Sequence, residues 1–173
     1  MNAVGIDVSK NKSMVAVARP FGQVVVKPFE VRHTDSELSA LARLLKSLDG
    51  ETRVVMEATG NYHTPVAKVL HDARLYVSVA HAKLIHGYRN NDLRRVKTDR
   101  KDAVKLANYG LNRWLTLPRY FPEEDTRLLL KNCYRQYKQY SKVQTVLKNN
   151  LISLLDTVFP NVNRLFSGST MPL

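Results

Sequence analysis

Val4-Gly5-Ile6-Asp7-Val8-Ser9-Lys10 is the stretch on which the fold turns. Strand alternation puts Val4, Ile6 and Val8 on one face and Ala3, Gly5 and Asp7 on the other. The acid therefore stands on a face of small residues, where a ligand or a second backbone can come close. Two more β-rich runs follow, so that Ala3 to Val8, Ser13 to Arg19 and Val24 to Val31 are separated by Ser9-Lys10-Asn11-Lys12 and Pro20-Phe21-Gly22-Gln23. Both separators are turn material, and an antiparallel meander is the natural reading.

Working outward, Thr34 or Asp35 can cap a helix in which Leu38, Leu41, Leu44, Leu45 and Leu48 recur at helical spacing before Asp49-Gly50 ends it. A strand from Arg53 to Glu57 leads through Thr59-Gly60-Asn61 into a helix carrying Val66, Val69 and Leu70, and Leu75 to Val79 reads as another strand. A meander followed by alternating strands and helices describes an α/β fold, a mixed sheet flanked by helices. From His81 to Lys105 the composition turns basic, with eight Lys and Arg against three Asp, and Asn90-Asn91-Asp92 reads as an exposed loop. A helix is expected from Asp102 to Asn112. The prolines of Leu115 to Pro122 then mark the end of a first domain, 1–117, and a linker, 118–122.

Pro122-Glu123-Glu124-Asp125 is a strong helix start, because proline suits the first turn and acids there oppose the positive end of the helix dipole. Up to Pro160, Leu130, Cys133 or Tyr134, Tyr137, Tyr140, Gln144, Leu147, Leu151, Leu154 and Val158 recur at three- and four-residue spacing. The pattern predicts a coiled-coil or dimerisation helix over 123–159 and a tail over 160–173. The chain offers no second helix to cover the seam, so self-association, as dimer or tetramer, is expected. The three tyrosines and Cys133 read as packing residues of that seam.

The 27 Lys and Arg against 15 Asp and Glu give a net charge of +12, which points to a polyanionic partner, nucleic acid foremost. Membrane is not expected: the basic residues are spread out, and no apolar run approaches the roughly 18 residues of a spanning helix. Asp7 and Lys10 interrupt the short apolar run at the N-terminus, unlike a signal peptide, and a cytoplasmic location is expected. The single cysteine, Cys133, excludes an intramolecular disulfide and a cysteine-based zinc finger.

In so basic a chain four acids stand out: Asp7, Glu57 in Val54-Val55-Met56-Glu57-Ala58-Thr59-Gly60, and the pair Asp99 and Asp102. Each has a plain structural reading. Asp7 and Glu57 can be solvated strand ends, and Asp99-x-x-Asp102 can be an N-cap with a dipole-stabilising acid. Together they also meet the need of two-metal phosphodiester chemistry, in which two Mg2+ ions about 4 Å apart share three or four hard oxygen ligands. Mn2+ is the natural substitute. Lys10, Arg89, Arg94, Arg95, Lys97, Arg100 and Lys101 are the candidates for holding a nucleic-acid backbone and screening the carboxylates. His63 can touch phosphate or assist a proton transfer, or be a partly exposed bystander.

The order meander-borne Asp, strand-end Glu and helix-borne Asp-x-x-Asp resembles a RuvC-type member of the ribonuclease H-like fold. More narrowly, Gly5-Ile6-Asp7-Val8-Ser9-Lys10, Met56-Glu57-Ala58-Thr59-Gly60-Asn61-Tyr62-His63 and Arg94-Arg95-Val96-Lys97-Thr98-Asp99-Arg100-Lys101-Asp102-Ala103 resemble the DEDD-type insertion-sequence transposases, or bridge-RNA-guided recombinases, relatives of the Piv invertases. The resemblance implies that Asp7, Glu57, Asp99 and Asp102 bind magnesium during DNA strand cleavage and exchange. It also implies a noncoding guide RNA that pairs with donor and target DNA, and a C-terminal domain supplying a serine nucleophile. Nothing up to Leu173 matches that domain, so the chain reads as an N-terminal portion or a truncated copy. The rival readings are a stand-alone RuvC-like Holliday-junction nuclease, a noncatalytic nucleic-acid-binding dimerisation module, and a nucleotide-binding protein of the actin and sugar-kinase type.

Overall fold

A computed structural model describes residues 1–58, 60–89 and 98–159, apart from the side chains of 86–89 and 125. Five strands, β1 (Asn2–Val8), β2 (Lys12–Arg19), β3 (Gln23–Arg32), β4 (Thr52–Glu57) and β5 (Tyr76–Ala80), form one sheet in the order β3-β2-β1-β4-β5. The meander β1-β2-β3 is antiparallel, whereas β4 and β5 join parallel to β1. This is the ribonuclease H-like mixed sheet implied by the motifs. The helices are α1 (Asp35–Ser47), α2 (His63–Asp72), α3 (Ala82–Arg89), α4 (Asp99–Asn112) and α5 (Asp125–Val158).

Strand alternation splits the core into two layers. Val4, Ile6, Val8, Val54 and Met56 pack against Leu38, Leu41 and Leu45 of α1 and Val66 and Leu70 of α2. Val55 and Ala80 face the other way, onto Ile85 of α3 and Leu106 and Tyr109 of α4. Ile6, Leu45, Met56, Leu70 and Leu106 are all but removed from solvent. Each such side chain contributes roughly 1.5–3 kcal/mol of transfer free energy.

Two helix starts depart from expectation. α3 was not foreseen as an element, and α4 begins at Asp99 rather than Asp102. Thr98, not either acid, is the N-cap of α4: its hydroxyl oxygen accepts from the Lys101 amide at 3.4 Å. The acids therefore sit inside the first turn, where they favour the dipole without capping.

The end of the expected domain, from Trp114 to Leu117, and Tyr120 of the expected linker are tethered to the sheet. Trp114–Thr116 forms a 3-10 turn, and the Arg53 guanidinium lies over two rings, 4.5 Å from the Trp114 centroid and 4.6 Å from that of Tyr76. Arg53 also donates to the Trp114 carbonyl. The Tyr76 hydroxyl donates to the Leu117 carbonyl at 2.6 Å, and the Tyr120 amide donates to the Val77 carbonyl at 2.7 Å. On the opposite edge the β2–β3 pairing slips: Val15 faces Phe29 but Val17 faces Val26, so Lys27 and Pro28 together oppose Ala16 in a β-bulge.

By contact the chain divides into two compact units, one ending at Pro122 and one beginning at Glu123. In the second, α5 is a 34-residue helix. Its expected seam is exposed in the single chain, with Tyr134, Tyr137 and Tyr140 at 59–70% of full exposure. Among the described residues no helix is long and apolar enough to cross a membrane.

Candidate metal and nucleic-acid site

Gly5 and Gly110 fix where α4 lies on the sheet. A Cβ placed on Gly5 would fall 2.0 Å from the Ala103 carbonyl oxygen and 2.4 Å from the Ala107 nitrogen, so the helix backbone rests directly on β1. A Cβ on Gly110 would fall 2.9 Å from Val55 Cγ2 and 3.4 Å from Ala3 Cβ. Residue 110 thus lies over Ala3 and residues 103–107 lie over Gly5, which makes α4 run antiparallel to β1. Two strand residues advance about 6.6 Å and each helical residue about 1.5 Å. The next same-face position on β1, Asp7, is therefore level with roughly residue 101 of α4, between Asp99 and Asp102.

Glu57 joins them through the parallel register. Gly5 pairs with Val55 and Ile6 with Met56, so Asp7 and Glu57 are the next neighbours along β1 and β4. Both point to the α4 face, because Ala3 and Val55, on the same alternation, both meet Gly110. Asp7 and Glu57 are half-buried, Asp102 is only 5% exposed, and Asp99 is open to solvent. Asp99 lies toward the β1–β2 turn, close enough for its charge to help raise the Lys12 pKa, although the Glu30 carboxylate, 2.7 Å from the Lys12 ammonium, is the main cause. Sequence reasoning passed over Lys12. Its position at the turn that follows Asp7 was the available signal.

The carboxylate oxygens are the hard donors that a divalent cation such as Mg2+ takes, and they come from three separate elements. By donor type and placement the residues fit such an ion. Their side chains are not gathered around one point, however: among the described residues no three His, Cys, Asp or Glu side chains form a group able to hold a metal. Coordination by three of the four requires side-chain or helix movement from the positions seen.

Of the basic candidates, Lys10 is exposed in the β1–β2 turn, Arg100 and Lys101 are exposed in the first turn of α4, and Arg89 ends α3. Arg94, Arg95 and Lys97 lie outside the described residues, as does Thr59 of the glutamate motif. His63 opens α2, a few residues beyond Glu57, and is half-buried rather than exposed. Burial lowers its pKa from the ordinary value, and its Nδ1 is buried without a hydrogen-bond partner among the described residues. It opens the helix that follows the acidic end of β4.

The pilin gene-inverting proteins of Moraxella bovis and Moraxella lacunata are similar to this chain, each 29% identical over 89 residues. Those matches cover 51% of this chain and 27% of the relatives, so the chain spans about a quarter of the length of the curated proteins it matches. Among solved structures, RuvC of T. thermophilus in complex with a Holliday junction substrate superposes with a TM-score of 0.49 at 11% identity, covering 69% of this chain and 99% of that one. The transposase family model DEDD_Tnp_IS110 matches residues 4–160, which takes in the sheet, both acidic strand ends, α4 and α5. The chain belongs to that family, the DEDD transposases of the IS110 type.

Proposed function

We propose that this chain carries the divalent-metal-binding and nucleic-acid-binding part of a DNA transposase or recombinase, with Asp7, Glu57, Asp99 and Asp102 as metal ligands. The observation that supports this most directly is the backbone contact of Gly5 with Ala103 and Ala107, which brings the first turn of α4 level with the acidic ends of β1 and β4. Asp7 and Glu57 offer oxygens from strand ends that the sheet holds in place. Asp102 offers a mostly buried one and Asp99 an exposed one, so the ligand set spans the site from core to solvent. Bound Mg2+, or Mn2+ in its place, supplies activation of the attacking oxygen and stabilisation of the leaving oxygen in phosphodiester cleavage.

The amino end of α4 adds its positive dipole, which favours phosphate. Lys10, Arg100 and Lys101 beside it, with Arg89, Arg94, Arg95 and Lys97, hold the nucleic-acid backbone in this reading. Such contacts carry little sequence information, and a noncoding guide RNA supplies target choice by base pairing. The α5 seam joins copies of the chain. In the whole protein a serine nucleophile from a further domain shares strand exchange with the carboxylates.

A second reading, a noncatalytic nucleic-acid-binding dimerisation module, is favoured by the open arrangement of the carboxylates. The two separate in a Mn2+ titration by calorimetry on the parent chain, Asp7→Asn and Glu57→Gln, each with and without a DNA duplex, with sedimentation to count copies. Saturable binding in the parent that disappears in both variants is expected. Equal behaviour of all three proteins, with and without DNA, sinks the metal site and leaves the binding module.

A further inference from the structure

Between Asp125 and Asp156 the sequence of α5 has no acidic residue and six Lys and Arg. Five of them, Arg127, Lys131, Arg135, Lys138 and Lys142, follow one another at spacings of four, four, three and four. At 3.6 residues per turn they fall within an arc of about 80°, and the centre of the apolar seam lies about 155° away. All five are exposed. A stripe of like charge over about 22 Å of rigid helix, without interleaved acids, is unfavourable for the helix alone and calls for a counter-charge from outside it.

The start of the stripe already holds one anion. Glu123, just ahead of the helix, accepts a hydrogen bond from Lys131. That bond, with the charges of Lys131, Arg127 and Arg135, holds its carboxyl below the usual range. Three of the five cations thus act on one carboxylate supplied by the chain itself.

We propose that this face of α5 lies along the phosphate backbone of a nucleic-acid duplex, with Glu123 occupying the first phosphate position when nucleic acid is absent. The nucleic-acid partner is taken from the function proposed above; the surface is a second one, on the helical unit. One strand of a duplex presents a charge about every 3.4 Å of axis, so about 22 Å of stripe faces roughly six phosphates, close in number to the five cations. A helix lying on a membrane would bury the seam in lipid and turn these cations away from the headgroups, since they oppose the seam rather than flank it.

The test uses the full chain and fluorescence anisotropy with a 20-base-pair DNA duplex and an RNA duplex of equal length, at about 50, 100 and 200 mM salt. The parent is compared with Lys138→Gln/Lys142→Gln, with Glu123→Gln, and with Arg43→Gln/Lys46→Gln, which removes two exposed charges from α1. Each phosphate contact adds about 0.9 to the slope of log affinity against log salt on duplex DNA. The stripe double variant is expected to lower that slope by about 1.8, so that the parent loses roughly tenfold more affinity over this range. Glu123→Gln should steepen the slope by about 0.9, and the α1 control should leave it unchanged.

An effect on one duplex alone names DNA or RNA as the source of the phosphates, and an equal effect on both means that the backbone alone is read. Unchanged slopes in the stripe variant, or slopes lowered as much by the α1 control, overturn the proposal. So does a loss of binding to phosphatidylserine vesicles with the nucleic-acid slopes intact. Circular dichroism checks that the helix persists, as expected for Lys→Gln changes of similar helix propensity. Mn2+ titration on the parent and Asp7→Asn separates the two readings: a slope lowered in the stripe variant without Asp7-dependent metal binding sinks only the metal site, and Asp7-dependent metal binding with an unchanged slope in the stripe variant sinks only the stripe.

Discussion

Gly5→Ala tests whether backbone contact sets the site. In a strand with free space, replacing glycine by alanine stabilises by about 0.4–1 kcal/mol, because the unfolded chain loses freedom. Here the new Cβ would lie 2.0 Å from the Ala103 oxygen, 2.4 Å from the Ala107 nitrogen and 2.9 Å from Leu106 Cβ. Two of these neighbours are backbone, so no side chain can swing aside. Clearing even 3.0 Å from the Ala103 oxygen moves α4 or β1 by about 1 Å. Overpacking of this kind costs about 1–3 kcal/mol when side chains can adjust, and the rigid contact puts Gly5→Ala at or above about 3 kcal/mol. The same 1 Å lifts Asp99 and Asp102 away from Asp7, and errors of that size at reacting groups cost about a hundredfold. Gly110→Ala, whose nearest neighbours are the Val55 and Ala3 side chains, is the milder comparison on the same interface, at about 1 kcal/mol. Urea denaturation followed by circular dichroism reads stability, and Mn2+ calorimetry reads the site. If Gly5→Ala matches the parent within about 1 kcal/mol and binds metal equally well, the close approach does not hold α4 and the reasoning fails.

Two further outcomes follow from contacts in the same unit. Burial pushes both His33 and His63 below the ordinary value of 6.5, so the unfolded chain takes up protons that the folded chain refuses. Their contribution is complete above about pH 6.5 and is lost as pH falls through the lowered folded values; the urea midpoint should drop from pH 7.5 to 5.5, and more weakly in His33→Gln, while identical pH slopes would exclude His33 as a contributor. Trp114→Ala removes one of the two rings against Arg53 and should cost about 3–5 kcal/mol in urea denaturation; a change under about 1 kcal/mol would mean that the turn holds the sheet without it.

Local patterns made most of the sheet readable. The meander, α1 and β4 each announce themselves within a dozen residues, by alternation, leucine spacing or a turn signal. α3 escaped because Gly87 and the short span Ala82–Arg89 give neither a long apolar period nor a clear cap. The start of α4 is hard to read because Thr98, Asp99 and Asp102 are all capping residue types, and it is the hydroxyl of Thr98 that does the capping. At the site, Asp7 and Glu57 could be placed on strand ends from alternation alone, and the face of Ala3 and Gly5 showed that a backbone could approach. Which helix lands there depends on a contact about a hundred residues away in sequence, between Gly5 and Ala103, and no local pattern carries it. The stripe on α5 is illegible for a different reason: the apolar periodicity of the helix does not carry it, and it emerges only from the angular placement of the charges around the helix axis.

The bulge at Lys27 and Pro28 and the bond from Tyr120 to Val77 lie at opposite margins of the sheet. At the β3 margin a proline, which has no amide hydrogen to offer, divides the edge strand into Gln23–Val26 and Phe29–Arg32, two short pieces that are poor templates for a neighbour's strand. At the β5 margin the polypeptide folds back and occupies part of the ladder itself. The sheet is thereby hindered from growing sideways into a continuous ribbon with other copies of the chain. The carboxylates thus stay on a sheet of fixed width.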